Sequence, residues 1–378
     1  MKKHLSFLLT AFLTLVLTAN GFSQEDKQSE TYEFTEQVRL ETSSVKDQGR
    51  SDTCWCFATV SFLETELLRM GKPEYDLSEM FLVHEAYKKK ANLYVRYHGN
   101  NNFGQGGQAH DAIYELAEHG IVPEKAYSGI IYGDNTHKHY ELASVLKGFT
   151  DQLLENRSRT ISPVWNEAYA GILEAYLGKT PEQFEYKGNT YTPQSFAKEL
   201  ELNPEDYVEL TSFSHHPYYE QFILEIPDNW SHDPYYNLPL DELMEVMDYS
   251  MENGYSVVWD GDVSSEGFSH SNGIAVVPED EDSNFKSHPV KEKNITESYR
   301  QQQFNQFVTT DDHLMHLTGI GQDQKGTKYY LTKNSWAPDS NEKGGFLYMS
   351  EPFIRLNTIA IMVHKDAIPK DIRNKLGL

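Results

Sequence analysis

Apolar positions along the chain have two textures. From Cys54 to Met70 the order C-W-C-F-A-T-V-S-F-L-E-T-E-L-L-R-M is apolar almost all round, with charge only at Glu64, Glu66 and Arg69. That pattern predicts a helix buried for most of its length, ended by Gly71, Lys72 and Pro73. Leu77-Ser78-Glu79 opens a second helix with Ser78 as its N-cap, and Ala109 to His119 forms a third, stopped by Gly120. Further helical stretches, Trp165 to Leu177 and Leu240 to Asn253, flank a middle rich in aromatic residues, Pro and His. From Tyr255 the texture changes to short β runs: Tyr255 to Trp259, His316 to Ile320, Lys328 to Thr332, Gly345 to Met349 and Ile359 to His364. Helices first and strands last predict an α+β protein of two lobes.

The N-terminus reads differently. Lys2 and Lys3 precede an apolar run from Leu5 to Leu17, and small residues follow at Ala19, Gly21 and Ser23. The run is shorter than the roughly 20 residues that span hydrocarbon, so 1–23 is expected to be a secretory signal peptide. The expected product is exported, without a stable membrane anchor. Polar Gln24 to Tyr32 is expected to be loose, and globular patterning begins at Val38.

Composition adds one exclusion. The 378-residue chain carries a formal charge of −24, and removing 1–23 takes away two lysines and no acid, leaving −26. Such a field repels phosphate backbones, and no basic patch offsets it, so nucleic-acid binding is not expected. Cysteine use is more telling: only Cys54 and Cys56 occur, two apart on one helix and poorly placed to bridge each other. Free thiols in an exported protein point to catalysis.

Val45 to Phe57, V-K-D-Q-G-R-S-D-T-C-W-C-F, sets Cys54 at the start of the buried helix. A helix N-terminus favours thiolate over thiol, which a nucleophile needs. Amide cleavage also needs donors at the developing oxyanion, and the Cys54 backbone N–H with the Gln48 side chain could supply them. Asp311 to Gly321, D-D-H-L-M-H-L-T-G-I-G, puts His313 ahead of a β run, and Thr332 to Trp336, T-K-N-S-W, puts Asn334 at the end of the next strand. Adjacent antiparallel strands would let the Asn334 amide oxygen orient the His313 imidazole, with Trp336 shielding the bond from water. Each piece alone has a bland explanation; the three in this order do not.

This order resembles the papain-like cysteine peptidases: Q-G-x5-C-W-x-F, then D-H-x5-G-x-G, then K-N-S-W. The resemblance implies a papain-like two-lobed fold, with Cys54 as nucleophile, His313 as proton partner, Asn334 as orienting residue and Gln48 in the oxyanion hole. Leu77 to Val83 resembles the family's second helix, and Gly106-Gly107 the glycine pair that hydrogen-bonds a substrate backbone on the non-primed side. His313 lies 259 positions after Cys54, against roughly 130 to 150 in the papain type, so a large, mostly helical insertion separates the pieces. Its text, with G-K-T-P-E-Q-F, Y-T-P-Q-S-F and V-V-W-D-G-D-V, and the tail H-K-D-A-I-P-K-D-I resemble the bleomycin hydrolase and aminopeptidase C branch. The expected organisation is an N-terminal segment 24–44, a helical lobe 45–141, an insertion 142–254 and a β lobe 255–378.

The resemblance implies thiol-dependent peptide hydrolysis of the aminopeptidase type, on peptide substrates, with a homo-oligomer as a further expectation. Members of the branch carry a C-terminal arm in the cleft, whereas this chain, ending at Leu376-Gly377-Leu378, is read as short of it. An open-cleft endopeptidase or dipeptidyl-peptidase is therefore the alternative, and a catalytically silent binding homologue the non-enzyme one. A transglutaminase-like acyl transferase would usually have Asp in place of Asn334. No cofactor is expected and no metal: along a strand His313 and His316 point to opposite faces, and His215-His216 before Pro217 reads as a loop.

Overall fold

The computed structural model describes residues 31–378 except 132, 134 and 159, so the expected signal peptide lies outside the described residues. In chain order the elements begin with strand β1 (Phe34–Arg39) and helices α1 (Cys54–Arg69), α2 (Glu79–Arg96), α3 (Ala109–His119), α4 (Tyr140–Leu154) and α5 (Trp165–Leu177). A hairpin of β2 (Phe184–Tyr186) and β3 (Asn189–Tyr191) precedes α6 (Pro193–Leu200). Then come β4 (Tyr207–Thr211), β5 (Gln221–Ile223), β6 (Pro234–Asn237), α7 (Leu240–Glu252), β7 (Val257–Gly261), β8 (Phe268–Ser269) and β9 (Ile274–Ala275). Helix α8 (Glu297–Asn305), β10 (His313–Asp323), β11 (Lys328–Lys333), β12 (Phe346–Ser350), α9 (Glu351–Asn357), β13 (Thr358–His364) and α10 (Lys370–Leu376) complete the chain.

The α+β expectation holds, and helix boundaries follow local chemistry. Ser78 caps α2 by accepting from the Phe81 N–H at 3.1 Å, and Gly71 and Gly120 take the left-handed φ that ends α1 and α3. Helix α1 is buried from Cys54 through Leu67 because both lobes grip it. On one side it packs with α2 and α3; on the other its neighbours include β10 and β7.

Two stretches differ from the sequence reading. Regular structure begins at Phe34, ahead of the patterning expected from Val38: β1 pairs antiparallel with β10, Phe34 opposite Asp323 and Arg39 opposite Gly319. The Gly319-x-Gly321 of β10 makes this possible, since a Cβ at Gly319 would overlap the Val38 carbonyl. The middle segment does not form a unit apart either. Leu142, Leu146, Tyr169, Leu173 and Phe196 join the helical lobe's core, whereas β4, β5 and β6 extend the main sheet, whose order is β5-β6-β4-β13-β7-β10-β11-β12-β9-β8. Strands of three to five residues, joined to the rest of the sheet through the pairing of β4 with β13 more than a hundred positions later, leave little local signal.

Under the junction of the lobes sits a buried ionic cluster. The Lys46 ammonium bonds Glu79 at 2.8 Å, Glu64 at 3.2 Å and the Leu77 carbonyl at 2.7 Å. Glu64 also accepts from the Leu77 N–H at 2.8 Å. Lys46→Ala would strand two buried carboxylates, so it should destabilise the fold by about 3 kcal/mol. Asp76, whose side chain is 68% exposed on the same cation, should lose less than about 1 kcal/mol on Asp76→Ala. Urea unfolding midpoints of the two variants test the contrast.

Candidate active site

The nucleophile loop is fixed by a turn and by the opposite lobe. Gly49 adopts φ +63°, and a Cβ there would lie 2.7 Å from the His137 carbonyl, so the turn before Cys54 requires glycine. The Gln48 N–H donates to the Ser335 carbonyl at 2.9 Å, and the Ala337 N–H returns to the Lys46 carbonyl at 3.3 Å. Gln48 Oε1 accepts from Ser335 Oγ at 2.7 Å, while its Nε2 donates to the Ser51 carbonyl at 2.8 Å. One Gln48 amide hydrogen is thus engaged; the other is unassigned. Cys54 is the first residue of α1, so its N–H has no intrahelical acceptor.

Across the junction, His313 Nε2 and Asn334 Oδ1 are 2.7 Å apart. The same oxygen accepts the Ser335 N–H at 2.8 Å, which identifies it as the carbonyl oxygen and makes His313 Nε2 the protonated nitrogen. His313 Nδ1 is therefore free to act as a base. The Trp336 ring lies 4.8 Å from the His313 ring, centroid to centroid, and is half-buried.

Sequence reasoning missed what lies behind Asn334. Its amide nitrogen is 3.2 Å from His270 Nδ1, His270 Nε2 is 2.7 Å from Ser340 Oγ, and that hydroxyl donates to the Ala337 carbonyl at 2.6 Å. The donors run in one direction, from His313 to the Ala337 carbonyl. His270 stands 64 positions before Asn334 in a short turn, with no motif around it to mark it.

Burial dominates the electrostatics. It pushes the Cys54 thiol up; the Leu314 N–H opposes this, and the charges of Asp311, Asp228 and Asp260 add to the rise. The helix N-terminus alone therefore does not set the thiol. Burial also pulls His313 down to about 4, against the bond to Asn334. Burial thus favours the uncharged form of each group, thiol and imidazole. Cys56 is fully buried, its thiol bonded to the Glu79 carbonyl at 3.3 Å and raised well above its ordinary value by burial.

The expected substrate-side glycines sit under the insertion. A Cβ at Gly107 would lie 2.8 Å from Asp111 Oδ2 and 3.2 Å from the Trp55 ring, and one at Gly106 would overlap the Asp228 carboxylate. His316 is separate from His313: its Nδ1 lies 2.9 Å from Ser61 Oγ on α1. His215 and His216 do come together, both on Glu225, at 3.2 and 2.7 Å. Gln301, its oxygen taken by the Ser214 N–H, turns its amide nitrogen to His215 Nδ1 at 3.1 Å. That leaves the proton on His215 Nε2, so a metal there would have to displace it.

The profile of the Peptidase C1-like family matches residues 72–377, a span that includes His313 and Asn334. Aminopeptidase G of Lactobacillus delbrueckii subsp. lactis is 25% identical, covering 90% of this chain and 85% of that protein. Aminopeptidase W of the same organism is 22% identical over the same shares. Among solved structures, PepW from Lactobacillus rhamnosis HN001 superposes with a TM-score of 0.70 at 19% identity, covering 91% of this chain and 84% of that one. With the two-lobed fold and the family match covering most of its length, the chain belongs to the Peptidase C1-like family.

Proposed function

We propose that the protein is a thiol-dependent aminopeptidase in which Cys54, His313, Asn334 and Gln48 carry the chemistry. The observation that carries this reading is the tautomer fixed by Asn334, which leaves His313 Nδ1 as a base in a site shared with a cysteine at a helix start. Similarity to proteins named aminopeptidase G, W and C supports the exopeptidase mode.

In this mechanism Nδ1 takes the Cys54 proton as sulfur attacks the peptide carbonyl. The resulting thiolate and imidazolium attract each other, which offsets part of the cost of desolvating both charges. The oxyanion receives the Cys54 N–H and the remaining Gln48 amide hydrogen. The imidazolium then protonates the leaving amine, and water hydrolyses the acyl-enzyme by the same base. His270 acts through Asn334 as a positioning residue. Export belongs to the same proposal, supported by Lys2, Lys3 and the apolar run from Leu5 to Leu17.

Cys54→Ala should abolish hydrolysis of an unblocked peptide, whereas Cys56→Ala should retain most of it; equal loss in two folded variants would reassign the nucleophile. Gln48→Ala should lower kcat by about a hundredfold. His270→Ala should lower kcat by about tenfold, since loosening the imidazole misplaces the base. Its KM should be unchanged, and His270→Gln, which can still accept from Asn334, should restore part of the rate. The reaction mode is tested by mass spectrometry of a time course on one decapeptide, free and acetylated. A ladder from the free peptide alone supports an aminopeptidase, and equal internal cleavage of both refutes it.

A further inference from the structure

The β lobe holds a cavity that the proposed chemistry does not use. Its volume is about 440 Å³, within the roughly 300 to 1,000 Å³ of small-ligand sites. Val276, Pro278, Phe285, Tyr299, Val308 and Leu356 supply apolar walls. Two polar groups of the lining residues lack partners. Asn357, the last residue of α9, is 2% exposed, and its Nδ2 has no acceptor among the described residues. Ser265 Oγ is likewise buried, with neither donor nor acceptor. Buried amides and hydroxyls are costly to leave unpaired, so both await an occupant of the cavity.

Both sides of the cavity are fastened. On one side, the loop between Val277 and Lys293 closes on itself: the Glu279 N–H donates to the Lys291 carbonyl and the Lys293 N–H to the Val277 carbonyl, each at 2.9 Å. Glu292 Oε2 ties that loop to the sheet, accepting from the Val277 N–H at 2.7 Å and from Ser350 Oγ at 2.6 Å. On the other side, the Asp262 carboxylate accepts from the Ser264 and Ser265 N–H groups at 2.9 and 3.1 Å and from the Thr310 N–H at 2.8 Å. The Asp262 N–H donates to the Asn357 carbonyl at 2.9 Å. The Ser264 N–H also lies 3.1 Å from Asp312 Oδ2, and Asp312 precedes His313. This rim of the cavity is thus held one residue away from His313, on the lobe opposite Gly106 and Gly107.

The lining selects among ligands. An anion would face Glu266 and Glu281, and the lining cation Lys293 already lies 3.4 Å from Glu281. A charge of either sign would also be desolvated against the apolar walls. A neutral amide fits instead: its carbonyl accepts from Asn357 Nδ2, its N–H donates to Ser265 Oγ, and an apolar side chain fills the rest. We infer that the cavity is a second peptide-binding site, which takes one apolar residue by its side chain and backbone amide, outside the reacting positions. This deepens the peptidase reading and rests on it for the source of the peptide. The leaving amine takes its proton from His313, so the stretch beyond the scissile bond departs beside the Ser264 rim and is the occupant. Peptides with apolar residues in that stretch are then bound better than polar ones of the same length.

The test compares kcat/KM on two free hexapeptides that differ only in having leucine or glycine as the third and fourth residues. The enzymes are the wild type, Asn357→Leu, Ser265→Ala and Val308→Asp, each checked for native circular dichroism. The wild type should prefer the leucine peptide, and in the variants that preference should fall about fivefold or more, through KM, as a buried hydrogen bond or the apolar fit is lost. In parallel, saturation-transfer NMR on Cys54→Ala should show binding of N-acetylleucinamide, weakened when Asn357→Leu or Val308→Asp is added. Val308 is exposed, so its variant carries the test if Asn357→Leu does not fold. Amide binding that the cavity variants weaken, without a leucine preference, supports the site and overturns the substrate as its occupant. A preference that survives in every variant, or an amide signal that no cavity variant weakens, overturns the proposal. Equal losses on both hexapeptides overturn it too, since a merely structural role lowers every substrate alike. A wild type that cleaves neither hexapeptide overturns the peptidase reading alone, and the NMR result then decides the cavity.

Discussion

The site depends on one backbone crossing. The loop that carries Gln48 and the loop that follows Asn334 exchange hydrogen bonds, Gln48 to Ser335 and Ala337 to Lys46, and the Ser335 hydroxyl also holds the Gln48 side chain. Hydrogen bonds alone join the lobe of Cys54 to the lobe of His313 at this point. The exchange therefore sets where Cys54 stands relative to His313. Beneath it, Lys333 on β11 bonds Ser61 of α1 at 2.8 Å and Ser43 at 3.0 Å, extending the same polar seam. A seam of this kind specifies one docking of the lobes, because any slip would leave buried charges unpaired.

Water exclusion then biases the buried titratable groups around the thiol. Burial favours the neutral form of each: thiol up, imidazole down, carboxyls up. The same burial opposes local charge separation in a chain that carries −24. In the proposed mechanism charge appears when a proton moves from sulfur to imidazole. The donor chain through Asn334 and His270 lets the imidazole accept that proton without turning, since its other nitrogen is already occupied.

Much of this was legible in the sequence, for identifiable reasons. Helices α1, α2 and α3 carry their own stop and cap signals in Gly71, Ser78 and Gly120. Cys54, His313, Asn334 and Gln48 sit in short patterns whose order along the chain matters. Strand β1 and strands β4 to β6 were not legible, because β1 pairs with β10, and β4, which carries β6 and β5, pairs with β13, each a tertiary fact. The same holds for His270 and Asp228, which reach the site across long stretches of chain. Cys54 shows the limit from the other side: its helix position was legible, but the direction in which its surroundings push the thiol needed the packing.

Helix α1 has one more consequence. A helix gripped all round by two lobes, and bearing Cys54 on its first turn, cannot swing aside as a lid. Substrate must enter a cleft that already has its final shape, and any motion that widened it would break the lobes apart. Inactivation by heat or denaturant is then the same event as loss of the fold, with no softened, still-folded enzyme in between. Peptide hydrolysis would end abruptly rather than fade.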